Sequence, residues 1–150
     1  TTIDGAIAAS FFPDAKDTSD EYVSQFMKIN EKYNKGISFD NIVLQGMNSA
    51  MLTVQALRAA GKNLTRTGLI NAVQNKGAKF ASAGRVPLNY SATSHVGYNG
   101  YWFGQLNAKG ELKPYGGTLS IFTTDSAAGA VEASTFTRPA MPKNGIPTNS

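Results

Sequence analysis

The chain has 150 residues, 41% of them hydrophobic and 16% charged, with 15 glycines and no cysteine. That length suits one domain with a real core, and the lack of cysteine excludes a disulfide framework, a thiolate zinc site and a thiol nucleophile. The formal charge is +4 and there is a single histidine, so a histidine-built metal cage or catalytic triad has little to draw on.

In chain order, residues 3–12 form a run of small and apolar side chains (Ile3, Ala6, Ile7, Ala8) around Gly5. That run predicts a buried strand, of the kind found in sheets covered on both faces, with parallel neighbours that the chain itself does not supply. Pro13 removes a ladder donor and biases Phe12 towards an extended conformation, which ends the strand at Phe11-Phe12. Thr18-Ser19-Asp20-Glu21 has capping-box spacing. Tyr22, Phe26, Ile29 and Tyr33 then fall on one face of a first helix that stops near Gly36. A second helix starts near Asp40, with a stripe of Val43, Met47, Ala50, Met51, Val54 and Leu57 and with Gly61 as its left-handed terminator. A third begins at Thr65 and closes at Asn75-Lys76-Gly77, so close behind the second that the two must pack together. The period then changes. Residues 84–90 alternate, and Pro87 marks an edge strand. Tyr98 to Leu106 is rich in strand formers. Asn107 to Gly110 reads as a hairpin turn into residues 111–113. Residues 119–123 make one more short strand, and residues 124–150 read as a loosely held tail, partly strapped onto the surface.

Catalytic constellations are missing. There is no glycine-rich phosphate loop and no Gly-x-Ser-x-Gly elbow. Asp17, Asp20 and Glu21 cluster at a helix start, where capping and dipole compensation account for them. His95 has no orienting partner in the sequence and reads as a hydrogen-bonded turn histidine. Basic residues from Arg58 to Lys113 are opposed only by Glu111. They are spread over helix ends and loops without interleaved stacking aromatics, which argues against nucleic acid and for a solvated basic side. The aromatics fit core packing or the wall of a small-molecule cleft. Phe11 and Phe12 close a strand, where open parallel sheets hold ligands.

The middle of the chain resembles a known family. Gln45-Gly46-Met47-Asn48-Ser49-Ala50, followed by Gln55-Ala56-Leu57-Arg58-Ala59-Ala60-Gly61-Lys62-Asn63-Leu64-Thr65-Arg66, is similar to a late segment of the type I periplasmic solute-binding proteins of the leucine/isoleucine/valine-binding class. Gly84-Arg85-Val86-Pro87-Leu88-Asn89-Tyr90, Ser94-His95, Tyr101-Trp102-Phe103-Gly104-Gln105-Leu106 and Gly110-Glu111-Leu112 continue the match, as does Asp4-Gly5 to Pro13. The resemblance spans residues 1–120. It implies an α/β fold, a fragment of a two-lobed protein holding its ligand between lobes joined by three crossovers. Residues 1–13 would be a second-lobe strand leading into the hinge and 14–80 the helical part of the first lobe. Residues 81–123 would be the hinge return and closing strands, and 124–150 the tail.

The resemblance further implies a bacterial periplasmic or other extracytoplasmic protein that delivers an amino acid or related small, even aromatic, acid to an ABC importer. Its partners would be that ligand, the membrane permease, and the missing N-terminal part or a second copy of the chain. No enzyme activity, metal or cofactor is expected. Thr1 is the nearest counterpart of a ligand-contacting side chain before the first strand. Phe11 and Phe12 would stand near the hinge, and Gln45 would replace the aromatic-acidic pair that often starts the second helix. Two alternatives stay open: a small-molecule sensory domain of the same fold, and a stand-alone interaction module. No signal peptide precedes Thr1, as expected of a mature chain, a cytosolic chain or a fragment.

Overall fold

The computed structural model describes residues 3–124 and 130–142; Thr1 lies outside them. The architecture is mixed α/β, with one strand, three helices and then antiparallel strands, as the sequence predicts.

Strand β1 (Ile7–Ser10) is followed by helix α1 (Glu21–Tyr33). Asp20 caps α1, its Oδ1 accepting from the Tyr22 and Val23 N–H groups. Thr18 does not cap. A turn closed by the Asp20 N–H on the Asp17 carbonyl comes first and moves the helix start beyond it. Tyr22, Val23, Phe26 and Asn30 are buried, while Tyr33 remains exposed. Asn30 donates from Nδ2 to the Ile37 carbonyl at 2.8 Å and so fixes the helix exit.

Helix α2 (Asn41–Ala60) is capped by Asp40 and ends at Gly61, whose φ of 81° explains the glycine. Its buried stripe is Leu44, Asn48, Met51 and Gln55. The expected apolar stripe is therefore rotated: Val54 and Leu57 face out, and two amides face in. Both amides are bonded to the segment that crosses beneath them. Gln55 Oε1 accepts from the Ala81 N–H at 2.7 Å and its Nε2 donates to the Ala81 carbonyl at 2.8 Å. Satisfied on both sides, these polar groups can be buried at little cost. Helix α3 (Arg66–Lys76) is capped by Thr65 and packs against α2.

The sheet is antiparallel throughout. Strand β2 (Gly100–Leu106) carries β1 along one edge, in the register Ile7 with Gln105 and Ser10 with Trp102. Its other edge holds β3 (Leu112–Pro114) at one end and β4 (Ile121–Thr123) at the other, and β5 (Glu132–Ser134) follows β4. The prediction of a buried β1 with parallel neighbours is overturned. It pairs antiparallel with β2, its outer edge is unpaired among the described residues, and Ile7 is 58% exposed. Nor do residues 84–90 form a ladder. The backbone bends at Arg85 and Val86 and makes a single bridge, Leu88 to Tyr98, with Pro87 having no N–H to give. The hairpin turn does form. Asn107 Oδ1 accepts from the Lys109 and Glu111 N–H groups, and Gly110 sits at φ 70°.

The core lies between α1, α2 and the crossing segments. Tyr22, Val23, Phe26, Leu44, Met51, Ala15 and Ala83 form its centre, with Phe12, Met27, Ile29, Phe39, Met47 and Met141 packed around it. The described part of the tail pairs through β5 with β4 and is then tied to the start of α1 by Arg138, Pro139 and Met141.

Candidate functional site

β1 ends at Ser10, two residues earlier than Pro13 predicts. Phe11 and Phe12 lie in the bend that follows, where the Phe12 N–H donates to Ser10 Oγ, and this bend meets the chain returning from α3. The Arg85 N–H donates to the Phe11 carbonyl at 2.7 Å, and the Trp102 indole N–H donates to the Phe12 carbonyl at 3.1 Å. Trp102 is fully buried. The two phenylalanines diverge from there. Phe12 turns towards the core, whereas Phe11 is 44% exposed.

Both rings meet Tyr98. Phe11 stacks on it at 5.6 Å with planes only 5° apart, and Phe12 meets it edge-on at 5.3 Å. Tyr98 is held at every side. A Cβ on Gly84 would lie 2.4 Å from Tyr98 Cε1, so only glycine admits the ring there. Its hydroxyl lies 2.5 Å from Ser82 Oγ and accepts from Asn48 Nδ2 at 2.8 Å. Asn48 Oδ1 in turn accepts from the Ala83 N–H at 2.7 Å and from Ser82 Oγ at 3.2 Å. Burial pushes the Tyr98 phenol above its usual range, against the opposing pull of Ser82 and Asn48. The phenol therefore stays neutral and offers its ring rather than its oxygen. The product is a fixed aromatic platform whose outermost layer is Phe11.

Of the residues singled out from the sequence, Phe11 and Phe12 come together, with Tyr98 as the third member. Gln45 lies on the exposed side of α2, one turn before Asn48, and its carbonyl accepts from Ser49 Oγ at 3.0 Å. Thr1 is outside the described residues. His95 lies exposed in the loop after Tyr90. Sequence reasoning missed Asn48 and Ser82. The signal was there in the spacing Leu44, Asn48, Met51, Gln55, which is a helical stripe in which two amides take core positions.

A second constellation gathers three passages of the chain around one carboxylate. Asp20 Oδ2 accepts from Arg138 Nη2 at 2.9 Å and from Arg85 Nη2 at 3.3 Å, and Asp17 Oδ2 accepts from Arg85 Nη2 at 2.8 Å. Arg85 also lies over the Trp102 ring and Arg138 over the Tyr22 ring. Arg138 Nη1 donates to the Ala83 carbonyl, and the Tyr22 hydroxyl donates to the Pro139 carbonyl at 2.7 Å. Burial pushes the Tyr22 phenol up to about 12. Asp17 is pushed up by burial too, but the Ser19 hydroxyl and the Arg85 guanidinium outweigh that and hold it below the usual carboxylate value. The acidic cluster thus caps α1, as its position in the sequence suggests, and also pins the return segment and the tail. It borders an open cleft of about 700 Å3.

Neither constellation is built for reaction. Asp17 and Asp20 are tied to arginines. Among the described residues, no group of three His, Cys, Asp or Glu side chains is placed to hold a metal ion. A family model described as periplasmic binding protein matches residues 1–111. This chain belongs to the periplasmic binding protein family. The family binds solutes and does not catalyse, and it includes binders of branched-chain amino acids. The matched stretch of this periplasmic binding protein contains Phe11, Asn48, Ser82, Gly84 and Tyr98. No curated protein and no solved structure matches the chain. No helix among the described residues is long and apolar enough to cross a membrane.

Proposed function

We propose that this chain is the C-terminal portion of the solute-binding component of an ABC importer. It holds an amino acid or a related small acid, aromatic acids included, between two lobes that close about a hinge. The carrying observation is the platform of Phe11 on Tyr98. It is an aromatic surface fixed from behind by Asn48, Ser82 and Gly84, open on its Phe11 side, within the stretch matched by the family. Such a surface supplies contact area at low entropy cost, while a few polar groups elsewhere set orientation.

In this reading residues 1–13 lead from the second lobe into the hinge. Residues 14–80 are the helical part of the first lobe, 81–123 the return and closing strands, and 124–150 the tail. The Asp20, Arg85 and Arg138 cluster ties the three passages and acts as the hinge bolt. The unpaired outer edge of β1 and the half-exposed Ile3 and Ile7 support a further sheet supplied by the remainder of the protein. Ligand contacts at Phe11 and Phe12 belong to the same proposal, with Gln45 and Thr1 as polar contributors. Binding shifts the open–closed equilibrium, and the closed form is delivered to the membrane permease outside the cytoplasm.

Thermal unfolding of the complete gene product against aliphatic amino acids, aromatic amino acids, their amides and aromatic acids tests this. A ligand that binds only the folded state raises Tm in a concentration-dependent way. At least one class is expected to do so. No shift across the panel counts against the proposal.

A further inference from the structure

Helix α3 is poorly covered. Ala72 is its only fully buried residue, and Ile70 is 49% exposed. Leu69, Ile70 and Val73 form one wall of a groove of about 360 Å3, and Tyr90 with the loop to His95 forms the other.

By composition that loop is polar, yet it lines an apolar groove. The Ser91, Thr93 and Ser94 hydroxyls bond locally. Ser91 Oγ accepts from the Thr93 and Ser94 N–H groups at 3.3 and 3.0 Å. Ser94 Oγ accepts from Asn89 Nδ2 at 3.2 Å and from the Val96 N–H at 3.3 Å. Tyr90 is wedged between bare backbones. A Cβ on Gly77 would lie 2.9 Å from Tyr90 Cβ, and one on Gly97 would lie 3.0 Å from its hydroxyl. Both walls are therefore preformed.

Charge frames the groove. No acidic residue occurs between Asp40 and Glu111. On α3, Arg66, Leu69, Val73 and Lys76 follow at steps of three, four and three, which places a cation at each end of the apolar strip on one helix face. Lys79 stands just beyond. Among the described residues none of these three cations is in an ion pair. Arg66 occupies the first turn of the helix, where the dipole disfavours a cation, so helix stability does not account for it.

We infer that this face is a docking surface for a protein partner that presents carboxylates around one apolar anchor. A concave groove of this size takes a side chain, and the cations at its two ends match acidic groups on either side of that anchor. Nucleic acid would call for a series of stacking aromatics among the cations, whereas among the described residues the groove's lining holds Tyr90 alone, wedged between Gly77 and Gly97. A lipid surface would call for a convex apolar face rather than a groove. The proposal goes beyond the solute-binding reading and uses none of the platform residues.

The test is fluorescence anisotropy of a labelled short peptide carrying one leucine between pairs of glutamates, titrated with the complete gene product, so that a face covered by the remainder of the protein reads as no binding. A lysine-for-glutamate peptide, anionic phosphatidylglycerol vesicles and a DNA duplex serve as the other probes. Saturable binding of the acidic peptide is expected, weakened about tenfold or more by Ile70→Glu and by Arg66→Glu with Lys76→Glu. Circular dichroism checks the fold, and the doubly charge-reversed surface variant serves if Ile70→Glu unfolds. Three results would overturn the proposal: no peptide binding, binding indifferent to these variants, or tighter variant-sensitive binding of vesicles or duplex.

Discussion

Asn48 carries more of the site than any other residue. It donates to the Tyr98 hydroxyl and accepts from the Ala83 N–H and from Ser82, all close to or within the core. Asn48→Ala leaves the buried Ala83 N–H without its acceptor and the Tyr98 hydroxyl with Ser82 alone. The expected loss is about 2–4 kcal/mol of stability, read as a lower urea midpoint at constant slope. An unchanged midpoint would mean that Asn48 is not the tie described here. The residue was hard to read in advance. A search for apolar periodicity passes over an asparagine, and the rotated stripe is recognised only when Leu44, Asn48, Met51 and Gln55 are taken as one face. The Phe11-Phe12 pair before Pro13 was legible as a pair, but the sequence puts it inside the strand, whereas the strand stops at Ser10 and the rings follow in a bend. Their partner Tyr98 was not legible, being so distant in sequence and fitted against a glycine whose purpose appears only in three dimensions.

Among the elements, the helices were the most legible. Asp40, Gly61 and Thr65 act locally, through caps that need no tertiary knowledge. The hairpin at Asn107 was legible for the same reason. β1 was not, because composition cannot tell an edge strand of small residues from a buried one. The tail was only half legible. Arg138 reads as one charge in a low-complexity stretch, yet it meets a carboxylate whose side chain is only 3% exposed. Arg138→Ala is expected to cost about 2 kcal/mol, the range for charge-assisted hydrogen bonds, and to expose residues 135–142 to proteolysis. Resistance equal to the parent would contradict the strap.

Asp17 adds a pH dependence to the same cluster. Its folded value lies below the ordinary 3.8, so the unfolded chain binds the proton first. The stability it contributes is present above about pH 3.8 and falls away as acid carries the solution down through the lowered value. Asp17→Asn should flatten that acid limb in urea titrations, and a limb as steep as the parent's would assign it to other carboxylates.

At the scale of the whole molecule, a charge network ties three chain passages beside an antiparallel sheet whose β1 edge is unpaired among the described residues. An aromatic platform faces outward where the first passage leaves the sheet. Family membership gives this arrangement its purpose, solute binding without catalysis, and under the proposed function the solute rests on the platform. Calorimetric titration of the complete gene product, parent and Phe11→Ala, with the ligand selected from the amino acid and aromatic acid panel tests that claim most directly. The account predicts one saturable site in the parent and an affinity about tenfold weaker in Phe11→Ala, the loss of one well-packed aromatic contact. Equal affinities in the two proteins would contradict it.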